Sequence, residues 1–347
     1  MSTPAALLTG KALADGWDVT EMLTRPPTGT GGHFSVSYKV KHAESGKEAF
    51  LKALDFSGAA RHADHLKALQ SMLEAYNFER DHEKCKTKRL DKISTPIAHG
   101  TISIAGFGDY SSVHYLIFEM AKGGDVRNFV STMPEFDLAW CFSSLHHIAV
   151  GLKQLHWNGI AHQDLKPSNV LVMDANDTKI GDLGRASDQE KPSANDNPPI
   201  AGDLNYAPVD LYYGNIPIDA RERKYLTDMY LFGSLIFFYF ANVNATHAIV
   251  SRLTSGQREL VGKGSFQEVL PYLQEAFKSA VDDLKVSIDA MAPDYTSDLI
   301  EMVMQLCDPD PTTRGGPKLK KLRVANYDFQ RFISKLDILR KSVRNYV

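Results

Sequence analysis

The stretch His162-Gln163-Asp164-Leu165-Lys166-Pro167-Ser168-Asn169 brings a carboxylate, an ammonium and a carboxamide close together along the chain. Asp164, Lys166 two residues later and Asn169 five residues later can converge within one tight loop. That combination suits phosphoryl transfer. The carboxylate orients an attacking hydroxyl and accepts its proton, the lysine neutralises charge on the moving phosphoryl group, and the amide oxygen can hold a metal ion. Thirteen residues after Asn169, Asp182 stands between Gly181 and Leu183-Gly184. A carboxylate beside flexible glycine is suited to chelating Mg2+ across the phosphates of ATP.

Together these segments resemble the catalytic loop and the metal-binding segment of the eukaryotic-type protein kinase superfamily, written HxDLKxxN and DFG. The spacings within each motif and the separation between them both fit. The resemblance implies Asp164 as base, Lys166 on the γ-phosphate, and Asn169 and Asp182 as Mg2+ ligands. It extends over roughly Leu23 to Arg314. Gly29-Thr30-Gly31-Gly32-His33-Phe34-Ser35-Val36 resembles the glycine-rich loop over the ATP phosphates, where absent side chains let backbone amides approach. Standing alone, such a run is more often a hairpin turn. The third glycine of the pattern falls on Phe34, or on Ser35 if one residue is inserted. Lys52 occupies the strand position of the family's ATP-binding lysine, and its partner should be a glutamate of the following helix. Glu79, beside an inward-packing Phe78, is the first candidate, with Glu83 one turn later and Glu74 as competitors.

Tyr115-Leu116-Ile117-Phe118-Glu119-Met120-Ala121-Lys122-Gly123-Gly124-Asp125 resembles the hinge of the same family. By that likeness Phe118 closes and narrows the rear of the nucleotide pocket, the backbone of Glu119 and Ala121 pairs with adenine, and Asp125 reaches the ribose. Val36 would complete the nucleotide contacts. Gly202-Asp203-Leu204-Asn205-Tyr206-Ala207-Pro208-Val209-Asp210 resembles the segment that closes the activation loop. Val209 stands where the family has glutamate, and Asp210 is the substitute partner for Arg314. Asp228 matches the buried aspartate that holds the catalytic loop from the central helix, since an unpaired buried carboxylate would be costly. Two departures stand out. Gln163 replaces an arginine that in many relatives pairs with a phosphorylated activation loop, and a neutral amide cannot form that charge-assisted pair. Asp203 sits where a threonine often contacts the catalytic aspartate and lysine.

These groups need elements to position them. Phe34, Val36, Tyr38 and Val40 alternate with polar residues, and Ala49–Leu54 resumes after the Ala43–Lys47 turn, so the pattern predicts a hairpin. A helical pattern follows from about Ala59 to Lys86, then a strand pair centred on Ala98–Ile104 and His114–Phe118. After Gly123-Gly124 the chain reads as mostly helical. Cys141, Leu145, Ile148, Leu152 and Leu155 share one helix face, and Tyr230–Asn242 is apolar all round, as in a buried central helix. Phe329, Phe332, Ile333, Leu336 and Leu339 form a stripe on a C-terminal helix. Ser187–Ile200 lacks periodicity and reads as a mobile loop. The Ser57–Gln70 extension should pack locally or dock a regulatory partner, and the C-terminal helix carries the same two readings.

The composition agrees with a globular chain: 347 residues, 43% hydrophobic, 23% charged, net charge −3. The near-neutral balance argues against a nucleic-acid binder. Cys85, Cys141 and Cys307 form neither a disulfide framework nor a zinc pattern, the N-terminus lacks a signal peptide, and the apolar run Tyr230–Val243 is too short to span a bilayer. A cytoplasmic location follows as the expectation. Twelve histidines include His62-x-x-His65 and His146-His147, without the acidic or cysteine neighbours that zinc needs.

The expected fold is α+β and bilobal: one domain over residues 1–347, a β-rich lobe over 15–121 with one main helix, and a mostly helical lobe over 122–347. The expected activity is ATP- and Mg2+-dependent transfer to Ser/Thr hydroxyls of protein substrates, autophosphorylation included. Lys166 favours Ser/Thr over Tyr specificity within the family. The alternatives are a small-molecule kinase of the antibiotic-phosphotransferase type and a pseudokinase that binds without reacting.

Overall fold

In the computed structural model, which describes residues 3–24, 35–61, 64–217, 219–260, 263, 265–316 and 327–344, the alternating segments form a five-stranded antiparallel sheet. Its strands are β1 (Trp17–Leu23), β2 (Ser35–His42), β3 (Glu48–Leu54), β4 (Pro96–Ser103) and β5 (Ser112–Glu119), in spatial order β1-β2-β3-β5-β4. Between β3 and β4 run α1 (His65–Arg80) and the short α2 (Glu83–Thr87). The helical pattern of Ala59–Lys86 is thus divided. A 3-10 turn covers Phe56–Arg61, and Asp64 caps α1 by accepting from the Lys67 amide at 3.0 Å.

Period-two alternation sorts the sheet into two faces. Tyr38, Val40, Leu51, Ala53, Tyr115 and Ile117 point away from α1, where Ala5 and Leu8 of the N-terminal segment cover them. Leu54, Leu116 and Phe118 point the other way and pack with Tyr76 of α1. Lys52 lies directly opposite Leu116, so it shares this second face, which looks into the cleft.

The larger lobe begins after the hinge, which is tied to the strand beneath it: the Gly123 amide donates to the Val172 carbonyl at 2.9 Å, and Val172 N to Gly124 O at 2.9 Å. Helices α3 (Val126–Ser131) and α4 (Leu138–Trp157) lead to short strands β6 (Ile160–Ala161), β7 (Val170–Asp174), β8 (Asp177–Ile180) and β9 (Ser187–Asp188). Then come α5 (Val209–Tyr212), α6 (Ala220–Ala241), α7 (Ala245–Val250), α8 (Ser255–Arg258), α9 (Phe266–Met291), α10 (Thr296–Leu306) and α11 (Gln330–Arg344). Every residue of α6 from Tyr225 to Phe240 is buried, so this helix is the core of the lobe. The stripe of α11 is buried against α4 through Phe329, Phe332, Leu336 and Leu339. Among the described residues no helix is long and apolar enough to cross a membrane. The architecture is α+β, as the residue pattern predicts.

Candidate active site

The catalytic loop lies between β6 and β7, and α6 holds it from below. Asp228, fully buried, accepts hydrogen bonds from the His162 amide at 2.8 Å and the Gln163 amide at 2.7 Å. His156 Nε2 lies 2.7 Å from the same carboxylate and must carry the proton there, because a carboxylate only accepts. His162 Nε2 donates to the Gly181 carbonyl at 3.0 Å, which leaves Nδ1 to accept from the Asp164 amide at 3.2 Å. One imidazole thereby links the catalytic loop to the turn that carries Asp182. Gln163 adopts φ 63°, an uncommon value for a non-glycine residue that the Asp228 bonds help hold in place.

Within this frame Asp164 is 8% exposed and surrounded by donors. Its Oδ1 accepts from the Asp203 amide at 2.8 Å, its Oδ2 from Asn169 Nδ2 at 3.2 Å, and Lys166 Nζ lies 3.2 Å from Oδ2. Burial pushes the Asp164 carboxyl above the usual carboxylate range, and the Lys166 charge opposes that rise. Asp203 Oδ2 stands 3.3 Å from Lys166 Nζ, so its backbone reaches Asp164 and its carboxylate reaches Lys166. Burial lowers the Lys166 ammonium, but Asp164 and Asp203 outweigh it and hold the pKa above its ordinary value.

The second cluster joins the lobes. Lys52 Nζ lies 2.9 Å from Glu79 Oε2 and 3.0 Å from Asp182 Oδ1. Glu79 is therefore the helix partner. Glu74 is engaged by Gln70 at 2.8 Å, and the side chain of Glu83 lies outside the described residues. Asp182 has φ 57°, and the Lys52 charge draws its carboxyl down to about 2, against a partial desolvation that works the other way. Burial raises the Glu79 carboxyl, with Lys52 opposing.

At the rear of the cleft Phe118 is 6% exposed and its ring centroid lies 6.4 Å from that of Phe50, so two aromatic rings narrow this end. Glu119 is exposed and pairs with Lys179 at 3.0 Å, while Ala121 accepts the Gly124 amide at the hinge turn. Asp125 caps α3, its two oxygens accepting from the Asn128 backbone at 2.9 Å and side chain at 3.0 Å.

One sequence expectation is corrected by the strand register. Val36 pairs with Ala53 and packs on the far face of the sheet, not in the cleft. The residue opposite Lys52 is Ser37, which matches the reading with one inserted residue in the glycine-rich loop. Gly29, Gly31 and Gly32 themselves lie outside the described residues. Ser187–Ile200 is also more structured than its composition predicts. It contains β9 and a 3-10 turn, Ala194–Asp196, closed by a reciprocal Ser193–Asp196 cap. The pattern Ser-x-x-Asp was the available sequence signal for that turn.

Asp164, Lys166 and Asn169 therefore face Lys52, Glu79 and Asp182 across one cleft, as phosphoryl transfer requires. The family model described as protein kinase domain matches residues 28–322. The chain belongs to the protein kinase domain family. Its relatives include an Aurora kinase of Debaryomyces hansenii, 26% identical over 82% of this chain and 57% of that protein. A probable serine/threonine-protein kinase of Clostridium acetobutylicum is 27% identical over 47% of this chain and 24% of the relative. An Aurora/IPL1-related protein kinase 2 of Caenorhabditis briggsae is 32% identical over 31% of this chain and 35% of its own. The chain thus aligns with little more than half of the first relative's length and less of the other two.

Among the described residues, no group of three or more His, Cys, Asp or Glu could hold a metal ion. The kinase cleft nevertheless presents two oxygen donors of another kind. Asn169 spends its amide hydrogens on the Asp164 carbonyl, at 2.7 Å, and carboxylate, which leaves its oxygen, 3.4 Å from Ser168 Oγ, as the atom able to ligate a cation. Asp182 gives one oxygen to Lys52, and its side chain remains 41% exposed. Two hard oxygen donors suit Mg2+, which takes its other ligands from water and phosphate.

Proposed function

We propose that this protein is an ATP- and Mg2+-dependent serine/threonine protein kinase, in which one domain spans residues 1–347. The observation that carries the reading is the placement of Asp164. It is buried, oriented by the Asp203 amide and Asn169, and adjacent to Lys166. The acceptor hydroxyl gives its proton to Asp164 as its oxygen attacks the γ-phosphorus. The bond from that phosphorus to the β–γ bridging oxygen breaks, and ADP leaves with the electron pair. Lys166 and Lys52 stabilise the negative charge of the phosphates, and Glu79 fixes the position of Lys52. Asn169 and Asp182 would hold Mg2+, which supplies charge neutralisation to the bound phosphates.

The nucleotide lies against Lys52 and Phe118, with the backbone of Glu119 and Ala121 on the base, Asp125 near the ribose, and Gly29, Gly31 and Gly32 over the phosphates. Ser37 takes the cleft position first expected for Val36. Lys166 and the likeness to the probable serine/threonine-protein kinase of Clostridium acetobutylicum support Ser/Thr acceptors. A reducing cytoplasm suits Cys85, Cys141 and Cys307, all buried.

The test is incorporation of labelled γ-phosphate into proteins, small alcohols and sugars, comparing wild type with Asp164→Asn. Transfer to Ser/Thr of proteins, lost in the variant by about 10²–10⁴-fold, is expected for a positioned base. Transfer to small alcohols alone would assign a small-molecule kinase. Binding of nucleotide without transfer would assign a pseudokinase.

A further inference from the structure

Just beyond Asp182, three consecutive backbone carbonyls are held by two side-chain amides. Asn195 Nδ2 donates to Gly184 O and to Ala186 O, each at 3.2 Å. Gln163 Nε2 donates to the carbonyl between them, Arg185 O, also at 3.2 Å. Both Asn195 acceptors are carbonyls, so only its NH2 group can face them, and its two hydrogens are both used.

The two amides are themselves anchored to one buried helix. Gln163 is placed by the Asp228 bonds already described. Asn195 belongs to the Ser193–Asp196 turn, where its amide donates to Ser193 Oγ at 2.9 Å and Ser193 N donates to Asp196 Oδ2 at 2.7 Å. Asp196 is pinned in turn by α6: Lys224 Nζ lies 2.5 Å from its carboxylate, and Arg223 donates to its carbonyl at 3.0 Å. The segment following the metal-binding aspartate is thereby fixed from both sides by elements of the same helix.

This arrangement is electrically different from an arginine clamp. A cation at position 163 would need an anion in the activation segment, whereas a carboxamide is satisfied by a backbone carbonyl. The anion that anchors the segment, Asp196, is genetically encoded and already paired. We infer that Asn195 is a positioning residue for Asp182, and that Asn195 and Gln163 hold the metal-binding segment in working order without phosphorylation of the activation segment. The inference rests on the proposed kinase activity and adds which residues of this chain make that activity independent of modification. Phosphorylation of Ser193 would work against the arrangement, since a phosphate there meets the Asp196 carboxylate and blocks the hydroxyl that caps the turn.

The test uses the full chain after phosphatase treatment, with Asn195→Asp and Gln163→Glu as variants. Both keep size and shape but replace donors by acceptors that repel the carbonyls. Phosphatase-treated wild type should keep its full rate. Each variant should need about tenfold more Mg2+ for half-maximal rate, a factor of the size expected from one or two hydrogen bonds. The KM for protein substrate should not move. Independently of activity, amide hydrogen exchange over residues 183–188 should be slow in unmodified wild type and faster in Asn195→Asp. Loss of activity on dephosphorylation, or unchanged Mg2+ dependence and exchange in both variants, would overturn the inference. A wild type that transfers no phosphate at all would instead sink the kinase reading, and the exchange measurement would still decide whether the amides order the segment.

Discussion

Arg314 Nη2 lies 2.5 Å from Asp210 Oδ1, and each side chain is only 1% exposed. The pair joins the segment that ends the activation loop to the turn after α10, and Arg314 also donates to the Asp308 carbonyl at 2.9 Å and lies over the Tyr230 ring. The glutamate expected one residue earlier is Val209, yet Asp210 recreates the ion pair from the next position. Removing one partner leaves the other charge buried and unpaired. Asp210→Ala is therefore expected to cost about 3–5 kcal/mol in denaturant unfolding. Replacing both charges, as Asp210→Leu with Arg314→Met, should recover most of that loss, because two apolar groups leave no buried charge behind.

The Asp164 environment predicts a specific pH–rate profile. A general base must be ionised, so the rate falls as pH drops through its pKa. Burial raises that pKa, so the acid limb should lie above the range of an ordinary aspartate. Lys166 opposes the rise, and Lys166→Met should therefore move the acid limb to still higher pH as well as slow transfer. The measurement is kcat/KM against pH for both proteins. An acid limb that stays put in Lys166→Met would show that Asp164 does not govern it.

Much of this site was legible because its residues sit in loops whose spacing is fixed by the backbone. Asp164, Lys166 and Asn169 converge within one loop whatever the surrounding packing. Choosing Glu79 over Glu83 needed the fold: four residues apart they read from the sequence as one helix face, but α1 ends at Arg80 and Glu83 opens α2. The position of Val36 was misread because period-two alternation is unforgiving: one inserted residue upstream sends every following side chain to the other face. Strand β1 gave little signal, for its register shifts between Val19 and Glu21 and only Trp17 and Val19 are buried. The Ser187–Ile200 segment looked mobile from composition, yet its Ser, Asn and Asp side chains are the groups that tie it down through local hydrogen bonds.

Lys52→Met should separate catalysis from folding through its pH dependence. With the ammonium gone, Glu79 remains 3% exposed and without its cation, so its carboxyl rises further. A raised folded-state pKa means the native protein binds a proton that the unfolded chain releases near 4.3. Stability then falls as pH rises through that interval. The variant should gain stability on acidification from neutral pH toward 5. It should lose about 1.5–3 kcal/mol relative to wild type at neutral pH, as for a broken charged hydrogen bond. Adding Glu79→Gln should remove this pH dependence. Denaturant titrations at several pH values measure both effects.

At Gly202 the activation segment passes close against the catalytic loop. A Cβ built there would stand 2.3 Å from the Gln163 carbonyl oxygen, 2.8 Å from Asp164 Oδ1 and 3.0 Å from Asp164 Cα. Two of these atoms are backbone, held by Asp228 from beneath, so the catalytic loop cannot yield. In Gly202→Ala the activation segment must move instead, and it carries the Asp203 amide away from Asp164 Oδ1, now 2.8 Å distant. A displacement of about 1 Å at such a site can cost on the order of 10²-fold in rate, whereas overpacking costs about 1–3 kcal/mol in stability. Gly256→Ala is the matched control, because nothing lies within 4 Å of its built Cβ. That variant should keep its rate and stay within about 0.5 kcal/mol of wild type. If Gly202→Ala kept the wild-type kcat in the phosphate-incorporation assay, contact between Asp203 and Asp164 would not be what orients the base.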